Sequence, residues 1–270
     1  VSHYLGFSER AAFDRAFKKW QGVTASRFQE DNQLVGAADF DARDASQLPI
    51  LPLVANQLLD MINAGNYQMD ELAKIVERDP SLTAKLLAMA NSAMYGAGTA
   101  TISEAVVRVF GAENLRNLAL AMLANDCFDT TRCQGFSLIQ YWSHALATGM
   151  LASELAKESG IVDPSEAYLL GLLHNIGSLL LVQCRPREMS QFLQQGGLEE
   201  LPLLELCAAE KRLMGIDTFT AGATLVSFWN LPRYLLVSIR GLKDPHYQGE
   251  SRDLVRLVAA SEYMVRLMSV

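Results

Sequence analysis

The chain has 270 residues and a formal net charge of −7, with half of its residues hydrophobic and only 20% charged. That composition is too apolar for a disordered chain and too acidic for a broad nucleic-acid footprint, so a nucleic-acid partner is not expected. No unbroken apolar run reaches the ~18 residues of a bilayer span, and charges stand where a signal peptide needs an apolar centre. The expectation is a soluble, cytoplasmic globular protein with no membrane partner.

Helix punctuation recurs along the chain, while alternating strand patterns are hard to find. Ser8 is placed to cap a helix with Phe13, Ala16, Phe17 and Trp20 on one stripe and Arg15, Lys18 and Lys19 opposite. That stripe is expected to pack on the body of the chain; a free partner-binding arm is the alternative. Residues 36–47 are small, acidic and aperiodic, and read as a linker.

The main body begins at Leu48-Pro49-Ile50-Leu51-Pro52. Helices are predicted over 53–63 and 69–78, the second ended by Asp79-Pro80. The same pair opens a third, with Asp as N-cap and Pro at the first helical position. A short fourth helix is predicted from Ser103 to Gly111, and a fifth from Glu113 to about Asp126. One helix is predicted over Tyr141 to Glu158. The next, announced by Asp163-Pro164-Ser165-Glu166, is predicted to run unbroken to about Gln183. Further helices are predicted over 187–195, 201–214, 218–229, 232–242 and 252–268. The fold class is all-α, a multi-helix bundle.

Chemistry is sparse. Cys127, Cys133, Cys184 and Cys207 show no CxxC or zinc-ribbon spacing and read as buried free thiols. GxGxxG, GxxxxGK[ST], GxSxG and HExxH are all absent. Two of the four histidines, His144 and His174, lie on successive predicted helices joined by a short turn at Ser159 to Pro164. Antiparallel packing brings them to similar depths, so the imidazoles can face one pocket. By geometry alone they could equally be satisfied core or surface residues. Gly171 and Gly177 flank His174 at helical positions, where Gly usually costs ~1 kcal/mol against Ala, so close helix approach is expected there.

The segment Gly171-Leu172-Leu173-His174-Asn175-Ile176-Gly177 resembles the GLLHDIG segment of the HD superfamily of metal-dependent phosphohydrolases, and more of the chain resembles its HDOD branch. That set includes Leu48 to Pro52, Asp79-Pro80-Ser81-Leu82 and Leu86 to Gly96. It continues with Glu104-Ala105-Val106 leading to Phe110-Gly111, Tyr141-Trp142-Ser143-His144, and Trp229-Asn230-Leu231-Pro232. They occur in family order across about residues 48–245. The resemblance implies an N-terminal helical lobe packed on an HD-like helical lobe. The expected division is 1–47, an N-terminal helical extension and linker; 48–250, an HDOD domain with lobes at 48–128 and 137–250; and 251–270, a C-terminal helix on the HD-like lobe.

The resemblance also implies a ligand set: a His, a His-Asp pair and a late Asp holding a divalent metal that activates water. His144 and His174 match it. The Asp of the pair is Asn175, Thr218 stands where relatives often carry His, Leu242-Lys243 replaces a His-His pair, and the late Asp falls on Ser261. Asp217 or Glu262 could substitute, but no spacing argues for either. These are read as vestigial metal positions, with no metal, no cofactor and no catalytic residue expected. His144, His174 and Asn175 are expected to shape a polar pocket. Lys243, if it points inward, would make that pocket positive and suited to a phosphate-bearing small ligand. The function expected is a non-catalytic, regulatory HDOD-type protein of bacterial signal transduction with a protein partner. The alternative is a residual metal-dependent phosphohydrolase acting on nucleotides or other phosphoesters.

Overall fold

A computed structural model describes residues 11–13, 15, 48–64, 68–91, 101–102, 111–125, 127–196 and 203–268. Twelve helices occur among them: α1 Leu53–Ala64, α2 Met69–Val76, α3 Pro80–Ala90, α4 Ala112–Asn125, α5 Leu138–Ser159 and α6 Pro164–Leu173. The others are α7 Ile176–Cys184, α8 Pro186–Gln194, α9 Leu203–Met214, α10 Thr218–Phe228, α11 Arg233–Gly241 and α12 Arg252–Met268. The described residues contain no strand, as the all-α expectation requires. The helix expected from Ser103, the linker over 36–47, and Phe17 and Trp20 of the N-terminal stripe lie outside the described residues.

Side-chain caps account for several helix starts. Asp79 Oδ1 accepts the Leu82 N–H at 3.0 Å ahead of α3, and Ser137 Oγ accepts from Gln140 N at 3.3 Å ahead of α5. Asp163 Oδ1 takes both Ser165 N and Glu166 N, at 2.8 and 3.1 Å, with Pro164 at the first helical position of α6. Each bond satisfies a backbone donor that the first turn leaves without a helical partner. Helix α5 stops at Gly160, whose φ of 63° is the left-handed conformation glycine adopts without strain.

The core is built around α6 and α7, in which Ala167 to Leu173 and Ile176 to Val182 are buried without exception. This stretch, Pro164–Cys184, is long and apolar enough to cross a membrane by length and composition, yet 83% of its most apolar window is buried inside the fold. It is the central support of the bundle. Helix α5 packs antiparallel along α6, α12 lies across both, and α4 joins α6 to α1, α2 and α3. Asn117 on α4 clips that last junction by donating to Ser165 O and Oγ, at 3.2 and 3.0 Å.

The two glycines act as expected. A Cβ on Gly171 would sit 2.5 Å from Gly149 Cα, so α5 and α6 touch backbone to backbone. A Cβ on Gly177 would sit 1.8 Å from Thr218 O and 2.5 Å from Gly222 N, so the starts of α7 and α10 are in contact. The first approach sets α5 against α6, the helices that carry His144 and His174.

One expectation fails. The helix predicted through His174-Asn175 to Gln183 breaks at those two residues into α6 and α7. A competing hydrogen bond accompanies the break: His174 Nδ1 donates to Gly171 O at 2.7 Å, the same carbonyl that Asn175 N–H would use in a continuous helix. Asn175 O then accepts from Ser178 N at 2.9 Å, a tighter turn that restarts the chain as α7.

Candidate functional site

Helix α5 carries His144 in its second turn, and His174 sits where α6 ends. Their ring centroids are 5.2 Å apart, with the planes inclined at 56°. The fold therefore brings the two histidines together. His174 is 4% exposed, and its Nδ1 faces a carbonyl that can only accept, so Nδ1 carries the proton and Nε2 is left as a lone-pair donor. Burial, then the neighbouring His144, pushes the His174 pKa down to about 3. Burial also lowers that of His144, against an opposing pull from Glu262. Both imidazoles are neutral at neutral pH.

The third member comes from α12. Glu262 Oε1 lies 3.9 Å from His144 Nε2, and one donor atom from each of His144, His174 and Glu262 falls within 4.8 Å of the others. Ser261, where the resemblance puts the late acid, is the residue before Glu262. Ser261 is fully buried and donates to Leu257 O at 2.9 Å, while the carboxylate belongs to the next residue. Arg266, one turn further along α12, donates its Nε to the same Glu262 Oε1 at 3.0 Å, and its Nη2 bonds that oxygen too. A trace of this was present in the sequence: Leu254, Val258, Ser261 and Val265 form the buried stripe of α12, and Glu262 and Arg266 flank it at i,i+4 spacing.

Two buried oxygens nearby in the sequence of these helices have no hydrogen-bond partner. They are Asn175 Oδ1, beside His174, and Thr148 Oγ1, one turn after His144 on α5. Most buried polar atoms find partners, so these two are exceptions among the described residues.

Thr218 and Lys243 belong to a second cluster. Thr218 donates its backbone N–H and its hydroxyl to the two oxygens of Glu210, at 2.8 and 2.7 Å. Glu210 is fully buried, and that burial raises its pKa to about 7. Lys243 Nζ bonds Asp217 Oδ2 at 3.1 Å and Thr220 Oγ1 at 2.9 Å. Asp217 also caps α10 through Thr220 N at 2.8 Å. The expectation that Lys243 would lend the histidine pocket positive charge is thereby corrected, because its ammonium is spent on the carboxylate that caps α10. Sequence reasoning missed Glu210 altogether, since nothing in its local pattern announces a buried acid.

The HD superfamily implies a divalent metal at the histidines, and the donor set decides whether these residues suit one. Imidazoles suit borderline transition ions, and two ligands of one such ion, each ~2.0–2.2 Å from it, stand at most ~4.4 Å apart. The three donors are close to that spacing. Their charge is not suitable: two neutral rings and one carboxylate already neutralised by Arg266 leave nothing to offset a dication. Asn175 and Ser261 add only neutral oxygens. The residues present do not fit a hydrolytic metal centre.

An all-helical bundle with paired histidines at a glycine-flanked helix break defines an HD-type helical domain. Residues 48–245 match the HDOD domain family, and the chain belongs to it. Among solved structures, it resembles a protein of Marinobacter aquaeolei VT8 with a provisional signal-transduction name, at 26% identity and a TM-score of 0.71, covering 87% of this chain and 54% of that one. A protein of Shewanella amazonensis SB2B with a provisional phosphohydrolase name is 27% identical, with a TM-score of 0.72 over 87% of this chain and 82% of that one. An uncharacterized protein of Treponema pallidum (strain Nichols) is 28% identical over 234 residues, 83% of this chain and 44% of that protein. The chain thus spans about half the length of the Treponema and Marinobacter proteins.

Proposed function

We propose that this is a regulatory HDOD protein that acts by binding a protein partner in a signalling pathway and does not catalyse phosphoester hydrolysis. One observation carries the reading: the acidic oxygen that meets the two imidazoles is already held by Arg266. A hydrolytic metal lowers the pKa of its bound water and stabilises developing charge, and both effects need ligands that hold the ion firmly. Disturbing only the partners of metal ligands already lowers affinity or activity ~10–100-fold. Here the acid of the His-Asp pair is an amide, and the hydroxyls at Thr218 and Ser261 donate to Glu210 and to a helix carbonyl. The signal-transduction name of the Marinobacter relative supports the regulatory side of the reading.

The competing reading, a residual metal-dependent phosphohydrolase, is favoured by the convergence of His144, His174 and Glu262. The two are separated by assaying the purified chain against nucleotide mono- and diesters with Mg²⁺, Mn²⁺, Fe²⁺ or Zn²⁺ supplied. No turnover above the uncatalysed rate is expected. Metal-dependent hydrolysis that disappears in His174→Ala would establish the competing reading.

A further inference from the structure

The pocket differs from an ordinary buried ion pair in what surrounds it. Glu262 and Arg266 form an i,i+4 pair, of the sort that decorates many helix surfaces. This pair has its carboxylate turned inward, with 15% side-chain exposure, toward a histidine with which it shares no ordinary hydrogen bond at 3.9 Å. Beside it stand two neutral rings, one with its tautomer fixed so that Nε2 presents a lone pair. All of these groups donate electron pairs. Among the described residues, the cation bonded to this carboxylate is the guanidinium of Arg266.

We infer that Arg266 stands in for the metal ion at this site: its charge neutralises Glu262 and excludes a dication from a latent transition-metal site formed by His144, His174 and Glu262. The inference rests on reading the pocket as metal-free in the native protein and says what keeps it so. With the guanidinium removed, the Glu262 carboxylate is no longer offset by a neighbouring cation and a dication is no longer repelled. Two imidazoles and a carboxylate are the donors that suit Zn²⁺ or Co²⁺, in preference to hard Mg²⁺.

The test uses the full chain in four forms: wild type, Arg266→Gln, Arg266→Lys, and Arg266→Gln with His174→Ala. Each is titrated with Co²⁺, whose visible absorption reports imidazole coordination, and with Zn²⁺ by calorimetry; thermal melts confirm folding. Arg266→Gln is expected to bind one equivalent about 10–100-fold more tightly than wild type, the range over which neighbours of metal ligands tune affinity. Arg266→Lys, which keeps a cation at the site, and the double variant should stay silent. A folded Arg266→Gln protein no better than wild type overturns the inference and leaves the regulatory reading intact. So does binding by Arg266→Lys, the variant most certain to fold. Tight binding by wild type itself overturns both.

Discussion

Two polar clusters, both set among the helices that follow α4, hold carboxylates next to cations and treat them differently. In the α9–α10 cluster, Glu210 has two donors from Thr218, and Asp217 has Thr220 and Lys243. The donors of Thr218, Thr220 and Lys243 meet their carboxylate and hydroxyl acceptors at 2.7–3.1 Å. In the α5–α6–α12 cluster, two rings face each other without a hydrogen bond between them, and Asn175 and Thr148, next to His174 and one turn after His144 in the chain, have orphaned oxygens. The first cluster is a finished structural device: it caps α10 and pins it to α9. The second holds two neutral rings and a carboxylate whose bonded partner is Arg266. Burial alone does not distinguish them, since both contain nearly inaccessible groups. Satisfaction of polar atoms does.

The largest effect expected is at the junction between the two. Gly177→Ala drives a Cβ into Thr218 O and Gly222 N, backbone atoms that cannot swing aside. A loss of more than about 4 kcal/mol, or failure to fold, is expected by chemical denaturation. A loss below ~1 kcal/mol would mean that α7 and α10 are not in backbone contact.

Next comes the pH dependence, where the clusters oppose each other. His174 is held neutral, with its pKa pushed down to about 3 by burial. Its contribution is complete above the ordinary histidine value and is lost as pH falls toward 3. Glu210 is raised to about 7, again by burial, so its contribution is complete below the ordinary value of 4.5 and is lost as pH rises through 7. Between these limits the slopes counteract each other in the wild type. Melting curves across pH 4.5–7 should therefore separate the variants. Glu210→Gln should become more stable, relative to wild type, as pH rises. His174→Gln should lose the acid-side fall in stability. Parallel profiles for all three proteins would contradict the assignment.

A matched pair of substitutions gives a smaller but cleaner contrast. Thr218→Val removes a hydroxyl that donates to a buried carboxylate and should cost about 1–3 kcal/mol. Thr148→Val removes a hydroxyl that donates to nothing and should be neutral or slightly stabilising. Urea denaturation of both resolves the sign. Smallest of all, Arg266→Gln should cost less than ~1 kcal/mol in the absence of metal, because its side chain is 27% exposed and its partner lies on the same helix.

What was legible in the sequence follows from how local each cause is. The caps at Asp79, Asp163 and Asp217 act within three residues, and the first two were read correctly along with their prolines. The pairing of His144 with His174 needed only a short turn and the rise of a helix. The break after Leu173 was missed because a side chain outcompeted a backbone donor for the Gly171 carbonyl, something helical periodicity does not register. Glu262 was set aside in favour of Ser261 because a one-residue choice depends on how α12 is rotated against α5, which no spacing reveals. Lys243 was misplaced for a similar reason: its partner Asp217 lies 26 residues away and meets it only through tertiary packing.

The central claim is that the histidine pocket is complete without a metal. The most direct measurement is elemental analysis of the wild-type chain, purified without chelators from cells grown with added iron, manganese and zinc. Well under one-tenth of an equivalent of any transition metal per chain is predicted, unchanged in His174→Ala. One full equivalent in wild type, lost in His174→Ala and in Glu262→Gln, would contradict the account and restore the pocket to the metal-dependent enzymes.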